Sequence, residues 1–259
     1  MGHPVFERRS RGSRPLLGTM VTYEALDNME LQSQLGPDFV IIDCQHSLIS
    51  ESAARRLIYA SHTPSTAIMV RVSSADPYKI GSVLDAGADA VIVPMVNTAQ
   101  EARVAVAACR YGPAGIRSLG ATRRSLPADP RALEDRASCF VMVETVEGVN
   151  NLEEICCVPG LSGIFLGSGD LAVTMGEPLF ANPSTPALRM ASRKVAAACQ
   201  AVGLIAGAYA GPAARAKELI DDGFDLLAIG IDWLYVRSGI CANLEEIQKY
   251  LASPQETGC

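Results

Sequence analysis

The sequence repeats one pattern along almost its whole length: a short apolar run rich in β-branched residues, then an alanine-rich segment with helical periodicity. The runs recur roughly every 25 residues, and their near-continuous apolar character is typical of parallel strands that are covered on both faces. We predict strands at Leu16–Val21, Phe39–Asp43, Ala67–Arg71, Ala90–Pro94, Cys139–Glu144, Gly163–Gly167, Leu204–Tyr209 and Leu226–Gly230.

The segments between the runs carry helix-boundary signals. Asp76–Ala86 has an aspartate at the N-cap position, a proline in its first turn and a glycine just beyond its end. Thr98–Cys109 and Pro212–Asp222 are further helix candidates. By contrast, Arg110–Arg136 is rich in glycine, proline and arginine, which predicts an extended loop with at most one short helical turn.

Eight strands that alternate with helices over 259 residues predict an α/β fold, a single closed (β/α)8 TIM barrel. An open doubly wound sheet is the alternative, but no GxGxxG follows the first run. No compositional break divides the chain. We therefore expect a flexible N-terminal tail over residues 1–14, whose arginines alternatively start an early helix, and a barrel with a C-terminal helix over residues 15–259.

Charge and composition argue against several classes of protein. A net charge of −6 is unlike the basic face of a nucleic-acid binder. No apolar stretch approaches the ~20 residues that cross a bilayer, and no apolar segment follows the N-terminal arginines as in a secretory signal. Most of the eight cysteines lie in apolar stretches, which is typical of reduced, buried thiols. We expect a cytoplasmic protein with no nucleic-acid or membrane partner.

Ionisable residues follow several of the predicted strands, at the carboxyl ends where TIM barrels collect their chemistry. Glu144 and Asp170 follow neighbouring strands, and two carboxylates there supply hard oxygen ligands for Mg²⁺ or Mn²⁺. The alternative is that Glu144 pairs with an arginine and Asp170 caps the next helix.

His46 is the histidine that follows a predicted strand, and it is a candidate general base. Asp43 or Asp85 would raise its basicity by stabilising the imidazolium. Arg71 has the planar set of donors that binds a carboxylate or an enolate oxygen. The alternatives are a hydrogen-bonded pocket histidine and an ion pair at the barrel rim.

Five motifs resemble segments of the HpcH/HpaI aldolase family, in the family's order and between about Leu16 and Gly239. They are DFVIIDCQHS, MVRV, VLDAGADAVIVPMVNTAQEA, VMVETVEGVNNLEEI and GIFLGSGDLAVTMGEP. The resemblance implies a barrel of the phosphoenolpyruvate/pyruvate type and a class II, metal-dependent pyruvate aldolase. It also implies a homo-oligomer, a trimer or a hexamer, often built with an exchanged C-terminal helix. The residue-level alternative is that this helix packs as the eighth helix of its own barrel.

The resemblance also implies roles for individual residues. It places the base at His46, an anchoring arginine at Arg71, and the acid that supports the base at Asp85. The ligands of a divalent metal, Mg²⁺, Mn²⁺ or Co²⁺, fall at Glu144 and Asp170. We assign substrate binding to Arg71 and to the strand-end residues Gly167, Ser168, Gly169 and Met142.

Four positions depart from the family's usual pattern. Cys44 and Gln45 stand where the family often has a glycine or other small residue and a glutamate. Ser168 stands where it often has a proline, and Met142 where it often has a glutamine. A thioether cannot donate the hydrogen bond that an amide donates, which indicates a less polar substrate.

The resulting hypothesis is reversible aldol addition and cleavage between the enolate of pyruvate, or of a related 2-oxo acid, and an aldehyde. Alternatives on the same site are decarboxylation of a 2-oxo acid, trapping of the enolate in a larger natural product, and cleavage of an acyl-CoA. A non-enzymatic barrel that serves as a scaffold or binding module is the third class.

Overall fold

Eight parallel strands pair in sequence order and close into a barrel, with β8 hydrogen bonded to β1. The structure, a computed structural model, describes residues 3–7, 14–61, 65–120, 123, 125–179 and 184–252. The strands are β1 Leu16–Val21, β2 Phe39–Asp43, β3 Ala67–Arg71, β4 Ala90–Val93, β5 Ser138–Val143, β6 Gly163–Leu166, β7 Ile205–Tyr209 and β8 Leu226–Ile231.

The helices cover the outside of the strands, so the predicted (β/α)8 barrel is confirmed. They are α1 Pro4–Glu7, α2 Leu26–Gln34, α3 Glu51–Ala60, α4 Pro77–Ala86, α5 Ala99–Cys109, α6 Pro130–Arg136, α7 Val146–Asn150, α8 Leu152–Cys156, α9 Ser168–Met175, α10 Pro186–Val202, α11 Ala213–Asp221 and α12 Asp232–Ala252. Among the described residues, no helix is long and apolar enough to span a membrane.

Side-chain caps fix several helix starts. The Asp76 side chain accepts a hydrogen bond from the Tyr78 amide at 2.8 Å, as its N-cap position predicts. Thr98 and Glu101 form a reciprocal capping box at the start of α5. The Asp129 side chain caps α6 by accepting a hydrogen bond from the Ala132 amide, so the stretch predicted as a loop with one short turn contains a helix of seven residues.

Successive side chains along each strand point alternately inward and outward, and this divides the core into two layers. One set of side chains packs between the strands and the helices, and the other fills the barrel interior. The interior set includes Phe39, Met69, Phe140 and Phe165, which are fully or almost fully buried. The barrel interior is therefore a packed core below the functional rim, not a channel.

The N-terminal residues 3–7 close one end of the barrel. Val5 and Phe6 are buried in the interior cluster, and the Phe6 ring lies 5.7 Å from that of Phe140. This part of the predicted flexible tail is therefore helical, because its two apolar side chains are buried against the barrel core. Residues 8–13 of that tail lie outside the described residues.

The cysteines of the described residues are free, and most of them are buried. Cys44 belongs to the outer layer of the core, so it faces away from the barrel interior. Burial, followed by the charges of Glu51 and Asp43, raises the pKa of its thiol to about 12. A protonated thiol in that layer is structural.

The C-terminal helix α12 is anchored to the barrel at its start. Asp232 is buried and accepts hydrogen bonds from the amides of Thr22 and Tyr23 at 2.7 and 2.9 Å, which ties the helix to the end of β1. The rest of α12 does not bury its apolar side chains, so the alternative of an eighth helix packed on its own barrel is wrong. Correspondingly, Leu17 and Ile229 on the outer faces of β1 and β8 stay 36% and 38% exposed.

Candidate active site

Asp43 and Arg71 end the neighbouring strands β2 and β3 and are register partners. Arg71 Nε donates to Asp43 Oδ1 at 2.8 Å, and Nη2 donates to Oδ2 at 2.7 Å. The side chains are only 11% and 1% exposed. Two parallel hydrogen bonds fix the plane of the guanidinium, so the remaining Nη1 donors have a defined direction.

Burial alone would raise the pKa of the Asp43 carboxyl. The hydrogen bonds and charge of Arg71, together with the backbone amides of Gln45 and His46, outweigh burial and lower that pKa below its ordinary value. Asp43 is therefore an anion throughout the neutral range. Its position makes it the group that orients Arg71 and shapes the loop after β2.

His46 lies in that loop, with an exposed side chain. Its backbone amide donates to Asp43 Oδ1 at 3.3 Å, alongside the Gln45 amide at 2.9 Å. Asp43 thus positions the backbone that carries the imidazole. Support of the imidazole itself by the Asp43 carboxylate stays a prediction.

Asp85 lies near the end of α4, and its carboxylate accepts a hydrogen bond from Arg117 Nη2 at 2.7 Å. The Arg117 side chain is 1% exposed and lies over the Tyr111 ring, 4.8 Å from its centroid. Burial raises the pKa of Asp85, although Arg117 opposes that shift. In this single chain Asp85 is therefore engaged by a buried arginine, and its support of His46 also stays a prediction.

Glu144 is a fully buried carboxylate just beyond β5. Its Oε1 accepts a hydrogen bond from the Met95 amide at 2.7 Å, whereas Oε2 has no hydrogen-bond partner among the described residues. A buried carboxylate oxygen without a donor is costly unless a cation or a proton satisfies it. Burial, then the neighbouring Asp170 carboxylate, raises the pKa of Glu144 to about 7, against the Met95 amide and Arg71.

The segment after β6 supplies the second carboxylate of the pair and the glycine that makes room for the first. Gly167 fits closely against Glu144, because a Cβ there would lie 2.4 Å from Glu144 Cβ and 2.5 Å from Oε2. Asp170 lies in the first turn of α9, where its exposed side chain is near enough to Glu144 to raise that residue's pKa. The structure thus brings together the two predicted metal ligands.

The chemistry of this pair fits a divalent cation. Two carboxylates provide hard oxygen ligands, and a cation would satisfy Glu144 Oε2 and relieve the repulsion from Asp170. The described residues contain no cluster of three or more histidine, cysteine, aspartate or glutamate side chains that would bind a metal alone. Water and substrate would therefore have to provide the other ligands, as is usual for Mg²⁺.

The other predicted binding residues line the same part of the rim. Met142 is buried in the interior cluster one pleat below Glu144, and its Cε lies 2.8 Å from a Cβ built on Gly167. Ser168 and Gly169 form the first turn of α9 between Gly167 and Asp170. The wall beside the carboxylates is therefore apolar below and polar at the rim.

Sequence reasoning missed two residues of this site. Met95 has a positive φ of 57° and points its amide at Glu144, a backbone feature that the residue name does not signal. Tyr209 ends β7 and packs against the interior cluster. Its place at a strand end gives the same signal as Arg71, so it could have been found.

Comparison with known proteins adds the family. A profile described as HpcH/HpaI aldolase/citrate lyase matches residues 23–238. The 4-hydroxy-2-oxo-heptane-1,7-dioate aldolase of Salmonella arizonae is 32% identical over 240 residues, 90% of each chain. The 2-dehydro-3,6-dideoxy-6-sulfogluconate aldolase of Pseudomonas putida is 30% identical over 233 residues, 88% of this chain and 90% of that protein.

A solved structure agrees over almost the whole chain. The crystal structure of an HpcH/HpaI aldolase/citrate lyase family protein from Burkholderia cenocepacia J2315 superposes with a TM-score of 0.86 at 25% identity, covering 95% of this chain and 99% of that one. Arg71, Glu144 and Asp170 all lie within the residues that the family profile matches. The chain belongs to the HpcH/HpaI aldolase/citrate lyase family and is a lyase of that family.

Proposed function

We propose that the protein catalyses reversible aldol addition and cleavage between the enolate of pyruvate, or of a related 2-oxo acid, and an aldehyde. The observation that carries the proposal is the buried Glu144 carboxylate, whose Oε2 has no hydrogen-bond partner in the described part of the chain and which interacts with the charges of Asp170 and Arg71. Family membership supports the reaction class, since relatives that share about a third of the sequence are named aldolases.

Glu144 and Asp170 would hold a divalent cation, with Mg²⁺, Mn²⁺ or Co²⁺ as the candidates. When bound, such a cation supplies Lewis-acid polarisation of the 2-oxo acid and makes its methyl protons more acidic. Gly167 lets the Glu144 carboxylate pack directly against the backbone after β6, because a Cβ at that position would lie 2.5 Å from Oε2. The protein's own contribution there is a rigid, partly apolar wall.

Arg71 would bind the substrate oxygen that gains negative charge as the enolate forms. Its guanidinium is already oriented by Asp43, so little reorganisation accompanies the reaction. His46 would take the proton, directly or through water, and return it to the enolate carbon in the reverse direction. Asp85 would support that base, and Ser168, Gly169 and Met142 would contact the substrate.

The test is a panel of aldehydes incubated with pyruvate and Mg²⁺, Mn²⁺ or Co²⁺, with products identified by mass. New carbon–carbon bonded products that need the metal support the proposal. Turnover of oxaloacetate or of an acyl-CoA, with no product from pyruvate, would favour the decarboxylase or acyl-CoA lyase alternative. The absence of divalent-metal affinity would favour the scaffold. A cytoplasmic location stays a prediction from the sequence.

We further propose a homo-oligomer, a trimer or a hexamer, in which α12 packs on a neighbouring barrel. Five apolar side chains recur along α12 at spacings of three and four, each more than half exposed: Val236, Ile240, Leu244, Ile247 and Leu251. The bare outer faces of β1 and β8 offer a surface of matching character on the partner.

The double variant Ile240→Asp/Leu244→Asp is expected to shift the protein to a smaller assembly, because two carboxylates would be buried in an apolar contact. Light scattering after size-exclusion chromatography measures the change. The matched control Ser238→Asp/Ala242→Asp adds two charges to the opposite, exposed face of the same helix and should leave the mass unaltered. A wild-type protein that is monomeric at micromolar concentration would contradict the proposed assembly.

A further inference from the structure

Tyr209 is the last residue of β7 and lies on the inner wall of the barrel. Its partly buried ring packs against the interior cluster, which also contains Ile205 of the same strand. The alternation along β7 therefore directs the Tyr209 side chain inward at the rim where the candidate active site lies.

The strand registers place Tyr209 in one row with the carboxylate pair. Leu166 pairs with Val143 on one side and with Ala208 on the other. The next inward positions are therefore lateral neighbours: Glu144, Gly167 and Tyr209. Two strand spacings separate the Cα atoms of Glu144 and Tyr209, about 10 Å. Because Gly167 has no side chain, the Glu144 carboxylate packs over it, and no β6 side chain at this level stands between the carboxylate and the phenol.

The Tyr209 hydroxyl is available to a ligand bound beside the carboxylate pair. The ring leans towards the rim, since its Oη lies 3.5 Å from the position of a Cβ on Gly211 in the following loop. No described residue forms a hydrogen bond with this hydroxyl. Burial, with a smaller contribution from Tyr235, raises the pKa of the phenol, so it stays a donor across the working pH range.

Tyr209 also lies opposite the arginine of the site. β3 and β7 are four strands apart in a ring of eight, so Arg71 and Tyr209 face each other across the barrel mouth. A substrate with one end bound between Arg71 and the carboxylate pair has its other end nearest to Tyr209. In an aldol adduct that other end is the aldehyde half.

We propose that Tyr209 is a catalytic residue of the aldol step, whose phenol donates a hydrogen bond to the oxygen of the aldehyde half. This role rests on the aldol function proposed above. In cleavage, the hydroxyl proton of the adduct passes to the base and the carbon–carbon bond breaks. Its electron pair enters the pyruvate enolate, and the hydroxyl oxygen becomes the aldehyde carbonyl. Tyr209 keeps its proton and stabilises the negative charge on that oxygen; addition is the reverse.

The test compares two reactions in Tyr209→Phe. Exchange of the pyruvate methyl protons with deuterium needs no aldehyde, whereas aldol turnover needs the aldehyde oxygen. We expect the kcat of the aldol reaction, with the aldehyde of highest wild-type turnover, to fall about 100-fold, as for loss of one donor to an oxyanion. The exchange rate should stay within about twofold of the wild-type value.

Tyr59→Phe is the matched control, because that tyrosine lies in the last turn of α3, away from the row of Glu144, Gly167 and Tyr209, and phenylalanine keeps the ring that Arg123 covers. It should leave both reactions unchanged. Equal losses of exchange and aldol turnover in Tyr209→Phe would overturn the proposal, and so would unchanged aldol turnover. A wild-type protein without metal-dependent exchange would instead contradict the aldol function itself, so the two failures are distinguishable.

Discussion

Replacement of Glu144 by glutamine is expected to stabilise the metal-free protein while abolishing its activity. The folded protein must keep an ionised carboxylate buried at neutral pH, and this raises the pKa of Glu144 to about 7. The neutral amide removes that cost, about 2 kcal/mol. For a domain of this size the thermal midpoint should rise by about 4–8 °C. Glutamine can still accept the Met95 amide, and its NH2 group can donate to Asp170.

The stability gained by Glu144→Gln should increase as the pH rises. A folded-state pKa above the unfolded value means that wild-type Glu144 destabilises the fold only where it ionises. The difference between Glu144→Gln and wild type should therefore be small near pH 5 and widen up to about pH 7. Glu147→Gln, on the exposed face of α7, is the control and should change neither stability nor metal affinity. Destabilisation of the metal-free protein by Glu144→Gln would contradict this account.

Replacement of Arg71 by alanine should cost both turnover and stability. Loss of the group that binds the enolate oxygen should reduce turnover about 1000-fold. Asp43, whose side chain is 1% exposed, would then be a buried carboxylate without its partner, which costs about 3–5 kcal/mol. Kinetics and thermal unfolding measure the two losses separately.

The double variant Arg71→Met/Asp43→Asn separates these effects, because removal of both charges should restore much of the stability but none of the activity. In wild type the lowered pKa of Asp43 gives stability that is present above the ordinary carboxyl pKa and is lost in acid. The stability gap between Arg71→Ala and wild type should therefore narrow on acidification. Arg56→Ala, which breaks an exposed pair with Glu24, should have little effect. Equal losses of stability in Arg71→Ala and Arg56→Ala would refute the explanation that the buried pair stabilises the fold.

Local signals in the sequence predict most of the barrel. The bounds of β1, β2 and β3 agree with the predicted runs, and β4 ends before Pro94, which lacks an N–H group for the ladder. The N-terminal helix was predicted only as the alternative to a flexible tail, because burial of Phe6 against Phe140 depends on contacts between distant parts of the chain. The apolar pattern of α12 also does not predict where the helix packs, because the same pattern would suit its own barrel or the barrel of a neighbouring subunit.

For the candidate site, sequence reasoning placed the charged strand-end residues but not their partners. Arg71 was predicted as a rim residue, and the register with Asp43 supplies the ion pair. The donor to Glu144 is a backbone amide in an unusual conformation at Met95, which no side-chain pattern reveals. The Asp85–Arg117 contact joins α4 to a loop 32 residues further along the chain, beyond the reach of local periodicity.

Deuterium incorporation into the methyl group of pyruvate tests the central claim most directly, because it reports enolate formation without any aldehyde. The account predicts incorporation by the wild-type protein with Mg²⁺ or Mn²⁺, none after EDTA, and none in His46→Ala or Glu144→Gln. Incorporation that survives EDTA or the Glu144→Gln substitution would contradict the claim. So would its absence from the wild-type protein with every divalent cation tested.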